Sequence, residues 1–258
     1  MIAKQGTRAL VILAKAPVAG TAKTRLSPPL TPEEAAAFAA ASLADMLAIG
    51  QAVAHCTVIL CHPAGSGEAI HAALGGRDLP ISFALSPFTR TDIGAAMAEA
   101  MTCAFAGGAS QVALIGSDLP SLPPAHIEAA FAALDVGAEV ALGPAEDGGY
   151  YLIATRQPRP ELFTGIAWST PAVFAQTVAR ADTMGLTLAA IPSWYDVDGA
   201  PDLLRCACDL DAAPAHPARA TRAFLADTAS RLRAGKRIWY PRKKLRLCAV
   251  APFHTGDV

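Results

Sequence analysis

Ala9–Leu26 reads A-L-V-I-L-A-K-A-P-V-A-G-T-A-K-T-R-L, an unbroken apolar run followed by a loop carrying Lys15, Gly20, Lys23 and Arg25. A short apolar run without alternation is the pattern of a parallel strand buried on both faces. Just downstream, Thr31 is placed to cap a helix, Pro32 takes its first position and Glu34 closes a capping box, which predicts a helix from Pro32 to about Ile49. The same unit then repeats. Apolar runs at Thr57–Cys61, Ile81–Leu85, Val112–Ile115 and Val140–Leu142 alternate with helical stretches near Glu68–Leu74, Ile93–Ala106 and Pro124–Leu134. This order predicts an α/β fold: a Rossmann-like, doubly wound, mostly parallel sheet with helices on both faces, three layers deep.

After Leu142 the rhythm changes. A Gly-rich turn leads into a strand at Tyr150–Ala154, then a Pro-broken loop and a helix from about Pro171 to Met184. A strand at Leu188–Ile191 and helices at Pro201–Cys208 and Ala218–Leu232 complete the reading. The expected organisation is one α/β domain over residues 1–230 and a basic tail over 231–258.

Composition supports a packed core. At about 150 residues per domain, 258 residues make one large domain or two small ones. Hydrophobic residues form 53% and charged residues 17%, against averages of about 45–50% and about 25%, which excludes a disordered chain. The apolar runs are broken by Gly and Pro, so no segment is expected to reach the roughly 20 residues of a membrane helix. Ala9–Ala14 is too short for a signal sequence core. Six cysteines without a C-x-x-C pair predict reduced thiols in a cytoplasmic setting, with neither a disulfide frame nor a zinc site.

Charge is distributed unevenly. Eight of the 21 basic residues, and no acidic ones, fall between Arg231 and Arg246, which leaves the first 230 residues with 13 basic against 21 acidic side chains, a balance of −8. An acidic body argues against a nucleic-acid partner. The tail is read first as a solvated appendage, with an anionic partner or the acidic body as its alternative contacts.

Open parallel sheets bind ligands beyond the carboxyl ends of their strands, so those loops carry the candidate site. In the first, Gly20 allows close backbone approach while Lys15, Lys23 and Arg25 could neutralise a phosphate chain. The Walker spacing is absent. In the second, Ile115-Gly116-Ser117-Asp118 ends a strand on a lone carboxylate, either a ligand for phosphate-bound Mg²⁺ or Mn²⁺ or the cap of the next turn. In the third, Gly143–Leu152, Asp147 precedes Gly148 and Gly149. That stretch could lie flat against a ligand, or be a plain hairpin. In the fourth, Trp194–Leu204, Asp196 and Asp198 point the same way in an extended segment, and Asp198 could share a metal with Asp118, unless these carboxylates only cap turns. Asp202 is read as capping, or lying in, the helix that starts at Pro201. Ser169 could offer a hydroxyl to an acceptor, although Thr170 capping the next helix is the simpler role for that stretch. No Ser/His/Asp constellation is visible.

Together, A-K-A-P-V-A-G-T-A-K-T-R-L, L-I-G-S-D-L-P-S-L, L-G-P-A-E-D-G-G-Y-Y-L-I and W-Y-D-V-D-G-A-P-D-L, with W-S-T at Trp168, resemble a bacterial family of GT-A-fold transferases. That family lies in the nucleotide-diphospho-sugar transferase superfamily and is linked to radical-SAM, selenium-domain and arsenosugar gene sets. The resemblance covers residues 9 to 205. The first loop is also similar to that of phospholactate and molybdenum-cofactor guanylyltransferases. The resemblance implies that Lys15, Lys23 and Arg25 hold nucleotide phosphates, that Asp118 and Asp198 bind Mg²⁺, and that Asp92 belongs to the ligand site. Two stretches depart from the family pattern. D-G-A-P-D at Asp198 stands where the family has D-T-P-E-D, and Thr91 and Ala96 replace a Gly and an Arg near Asp92.

The resemblance leaves two reactions with a nucleotide and a small-molecule acceptor. In nucleotidyl transfer an NTP passes its nucleotidyl group to a phosphorylated acceptor. In glycosyl transfer a nucleotide sugar is the donor, with Asp147 as a possible base. A non-catalytic nucleotide sensor is the third reading.

Overall fold

The computed structural model describes residues 7–76, 81–85 and 93–234, with the side chains of 81–83 and 229–234 left aside. Among the described residues, seven strands form one sheet: β1 (Thr7–Leu13), β2 (Cys56–Pro63), β3 (Ile81–Leu85), β4 (Ala109–Gly116), β5 (Val140–Pro144), β6 (Tyr150–Thr155) and β7 (Leu188–Ala190). Their order is β3-β2-β1-β4-β6-β5-β7. The β1–β2, β1–β4, β2–β3 and β5–β7 pairs are parallel, while β6 runs antiparallel to both β4 and β5. The chain winds outward from β1 through β2 to β3, then returns to β4 on the other side of β1. The carboxyl ends of β1 and β4 therefore flank the switch point of the sheet.

Seven α-helices among the described residues accompany it: α1 (Pro32–Ala52), α2 (Gly67–Ala73), α3 (Ile93–Ala106), α4 (Pro124–Asp135), α5 (Val173–Thr183), α6 (Ala200–Ala212) and α7 (Arg219–Ala234). Alternation along β1 divides them into layers. Leu10 and Ile12 join Leu43, Met46 and Ile49 of α1, Ile70 of α2, and Ile127 and Phe131 of α4. Ala9 and Val11 face the other way, against Met97, Ala100 and Met101 of α3 and Ala181 of α5. A third cluster joins Ala35 and Phe38 of α1 to Leu203, Cys206 and Leu210 of α6, and it encloses Leu26, Tyr195 and Val197 from the loops that build the site.

The capping box at Thr31 forms as the sequence predicts: Thr31 Oγ1 accepts from Glu34 N at 3.2 Å and Glu34 Oε2 accepts from Thr31 N at 2.8 Å. Thr31→Ala removes one of these bonds and is expected to cost about 1 kcal/mol, read as a melting temperature about 2–4 °C lower at this chain size. Helix α1 extends three residues beyond its predicted end. Gly50 lies within it because a Cβ there would come 2.9 Å from both Leu10 and Val58, so glycine lets the helix settle onto the strands. With 21 residues, α1 is long and apolar enough by length and composition to cross a membrane, which corrects the expectation that no segment is. In this fold it packs on the sheet and carries Asp45, whose buried carboxylate accepts from Ala220 N at 2.9 Å and Thr221 N at 2.7 Å. That places a negative charge on the first turn of α7, where the helix dipole favours it.

Candidate active site

Above the ends of β1 and β4 lies a cavity of about 560 Å³. It is lined by Lys15, Thr21, Lys23, Thr24 and Arg25 of the first loop, by Gly116, Ser117 and Asp118, and by Asp196 and Asp198. Leu13, Ile93, Met97, Leu114, Tyr150 and Tyr151 supply apolar wall.

Lys23 is the centre of this arrangement. Its backbone is left-handed (φ 48°, ψ 42°), and its ammonium donates to Val197 O at 2.6 Å, Asp118 Oδ2 at 2.8 Å and Asp198 Oδ1 at 3.2 Å. Burial alone would lower its pKa, but the carboxylates of Asp118 and Asp198 outweigh that and hold it above the ordinary lysine value. Arg25, largely exposed, reaches Asp198 Oδ2 at 3.4 Å. Lys15 lines the cavity and is solvent-exposed.

Asp118 is held by its backbone. Ser42 Oγ, fully buried on α1, donates to Ser117 O at 2.7 Å, and Val197 N donates to Asp118 O at 3.0 Å. The second bond joins the Asp196–Asp198 segment directly to the Asp118 loop. That segment is fixed further by Trp194 N on Pro144 O (3.1 Å), and by the Tyr195 hydroxyl, which donates to Asp209 Oδ2 at 2.6 Å and lies 3.0 Å from Ser121 Oγ. The Arg205 guanidinium lies over the Tyr195 ring at 3.8 Å and binds Glu146 at 2.7 Å. As expected, Asp202 caps α6, accepting from Asp198 N and Gly199 N. Asp196 is exposed, at the edge of the cavity lining. Desolvation first, then the neighbouring charges of Asp118, Asp198 and Asp147, push its carboxyl up to about 7 against the opposing pull of Lys23. Its place in the cavity is the feature least evident in the sequence, where only the two-residue spacing to Asp198 hinted at it.

The structure thus brings Lys15, Lys23, Arg25, Asp118 and Asp198 together, and adds Asp196. Other nominated residues lie outside the cavity lining. Gly20 (φ +80°) sits at an exposed turn with open space around it. Asp147 Oδ1 accepts from Gly149 N at 2.9 Å inside the tight β5–β6 hairpin. Gly148 (φ +88°) abuts the backbone of Pro171, and Phe174 N donates to its carbonyl at 2.9 Å. Ser169 (φ 63°) belongs to the turn before α5. Asp92, like the basic tail from residue 235 onward, lies outside the described residues.

Among the described residues no three His, Cys, Asp or Glu side chains surround a common point. Asp118 and Asp198 nevertheless converge on one cationic atom, and their hard oxygens suit Mg²⁺ or Mn²⁺, which commonly takes only one or two carboxylates beside water and phosphate oxygens. The donor set therefore fits such an ion.

In sequence, residues 46–170 match the profile of a family described as "Uncharacterized protein conserved in bacteria (DUF2064)", a span that contains Asp118 and Asp147 but neither Lys23 nor Asp198. No protein of curated description gives a significant match. In structure, the chain is similar to a candidate nucleotide-diphospho-sugar transferase from Desulfovibrio desulfuricans G20 (29% identity, TM-score 0.78, covering 89% of this chain and 98% of that one). It is also similar to 4-diphosphocytidyl-2C-methyl-D-erythritol synthase from Anaerococcus prevotii (9%, TM-score 0.55, 80% and 96%) and to a Methanothermobacter nucleotidyl transferase (17%, TM-score 0.51, 77% and 95%). The last two likenesses concern the fold alone: a mostly parallel, Rossmann-type sheet with flanking helices, of the kind found in nucleotidyltransferases and nucleotide-diphospho-sugar transferases.

Proposed function

We propose that the protein is a metal-dependent transferase acting on nucleotides, which moves a nucleotidyl group from an NTP to a small phosphorylated acceptor. The observation that carries this reading is the convergence of Lys15, Lys23 and Arg25 with Asp118 and Asp198 in one cavity at the switch point of the sheet. Three cations on one loop suit a triphosphate, whose charge must be neutralised as the α-phosphorus changes partners and pyrophosphate leaves. The acceptor's phosphate oxygen is the nucleophile, so no protein nucleophile is required. Asp118 and Asp198 would hold Mg²⁺ or Mn²⁺, which when bound supplies further positive charge to the phosphates. The apolar wall from Leu13 to Tyr151 offers room for the uncharged parts of the ligands.

Glycosyl transfer is the second reading, favoured by the description of the Desulfovibrio relative as a candidate nucleotide-diphospho-sugar transferase. Against it, Asp147, the carboxylate such a reaction would use as a base, is turned to Gly149 N and lies off the cavity lining.

A thermal-shift panel separates the two. The four NTPs and UDP-, GDP- and ADP-sugars are compared with and without Mg²⁺ or Mn²⁺. A ligand at 100 times its Kd adds about 2.7 kcal/mol, and at about 2–4 °C per kcal/mol this gives a shift of about 5–11 °C. Metal-dependent stabilisation by one NTP is the expected result. Stabilisation by a nucleotide sugar, with the NTP no better than the matching NDP, would replace nucleotidyl with glycosyl transfer, and a flat panel would remove both.

A further inference from the structure

All three protons of the Lys23 ammonium are committed, to Val197 O, Asp118 Oδ2 and Asp198 Oδ1, and the side chain is only 6% exposed. The chain accepts a left-handed backbone at this residue, a conformation disfavoured wherever a Cβ is present, and so sets the ammonium in the gap between the two carboxylates. Without a cation there, Asp118 and Asp198 would repel each other across the cleft. Asp118 and Asp198 are also the carboxylates that would hold a small divalent ion. The Lys23 Nζ stands at 2.8 and 3.2 Å from them, so it fills the same gap. One cation at a time can bridge this pair.

We propose that Lys23 is an exchangeable counter-ion: a divalent cation entering between Asp118 and Asp198 displaces the ammonium, which then turns to the anionic ligand beside Lys15 and Arg25. The inference rests on the metal-dependent reading of the cavity and adds an order of events to it. Among the described residues, three carboxylates and three cations line the cavity. Exchange of one positive charge for two at the carboxylate pair makes the cleft electropositive as the metal arrives. Phosphate affinity thereby becomes conditional on the metal, and the carboxylates stay paired at every stage.

The test uses the wild-type protein first, without nucleotide. Acetic anhydride labelling is followed by mass spectrometry of the Lys23 peptide, with and without saturating Mn²⁺. Lys23 is protected in the metal-free protein and becomes labelled at least about fivefold faster with Mn²⁺ bound, as loss of its three partners requires. In parallel, Lys23→Met is expected to bind Mn²⁺ at least about tenfold more tightly than wild type, because no resident charge has to leave. Lys23→Arg, which keeps a cation, does not show this gain. Circular dichroism checks that the variants fold, and the labelling arm does not depend on them. Mn²⁺ binding with Lys23 still protected places the ion on other carboxylate oxygens and overturns the exchange, while the transferase reading survives. Absence of Mn²⁺ binding by wild type and Lys23→Met alike overturns the metal-dependent reading itself. Exchange without any nucleotide stabilisation leaves this inference standing and removes the transferase.

Discussion

Asp118→Asn is expected to abolish metal-dependent nucleotide binding while leaving the protein folded. The substitution keeps the shape of the side chain and removes one charge from the pair that faces the proposed ion. Even two unit charges about 4 Å apart, at an effective dielectric of about 20, attract by about 4 kcal/mol, or roughly a thousandfold in affinity, and a divalent ion held directly by the carboxylate loses more. The fold should survive at some cost in stability, because the 2.8 Å ion pair with buried Lys23 becomes a hydrogen bond to a neutral amide while the loop keeps its other ties. The loop is held through backbone atoms: Ser42 Oγ on Ser117 O, and Val197 N on Asp118 O. Neither bond involves the altered carboxylate. Lys23 keeps Val197 O and Asp198 as partners. Metal-dependent thermal shifts with the nucleotide selected by the panel would check this. A variant that responds to metal and nucleotide as wild type does would take Asp118 out of the site.

How far the sequence reaches can be seen in the same residues. The β1–β5 strands are readable because each is a mostly apolar run bounded by a loop of different composition. The placement of β6 is not readable. G-P-A-E-D-G-G fits a ligand loop as well as a hairpin, and the choice is made by pairing of β6 with β4, a contact far along the chain. Helix ends drift for a local reason: nothing after Cys208 breaks the helical pattern before Pro214, so α6 runs on to Ala212. In the site, residue type was informative and partnership was not. Three cations and a lone Asp at strand ends pointed to a charged cleft. That Lys23 spends its donors on Asp118, Asp198 and Val197, rather than waiting for a phosphate, depends on segments that only the fold brings together.

Gly148→Ala is expected to lower the melting temperature by about 8–16 °C. Two separate penalties fall on one methyl group. The backbone there has φ +88°, where a non-glycine residue costs about 1–3 kcal/mol. A Cβ would also stand 2.2 Å from Pro171 O and 2.7 Å from its Cα, so backbone must move, and overpacking of this kind typically costs about 1–3 kcal/mol. The middle of the combined range is about 4 kcal/mol, at about 2–4 °C per kcal/mol. Gly20→Ala supplies the comparison. It has a similar φ of +80° but nothing within 4 Å of the added methyl, so only the backbone penalty applies and its drop should be about half as large. Equal losses in the two variants would mean that the hairpin does not press on Pro171 as the structure has it. The same pair also separates packing from ligand contact. If Gly148 serves to seat β5–β6 against the turn before α5, then below its melting temperature Gly148→Ala should retain the wild-type metal and nucleotide response. A glycine that lay against the ligand would lose that response together with its stability.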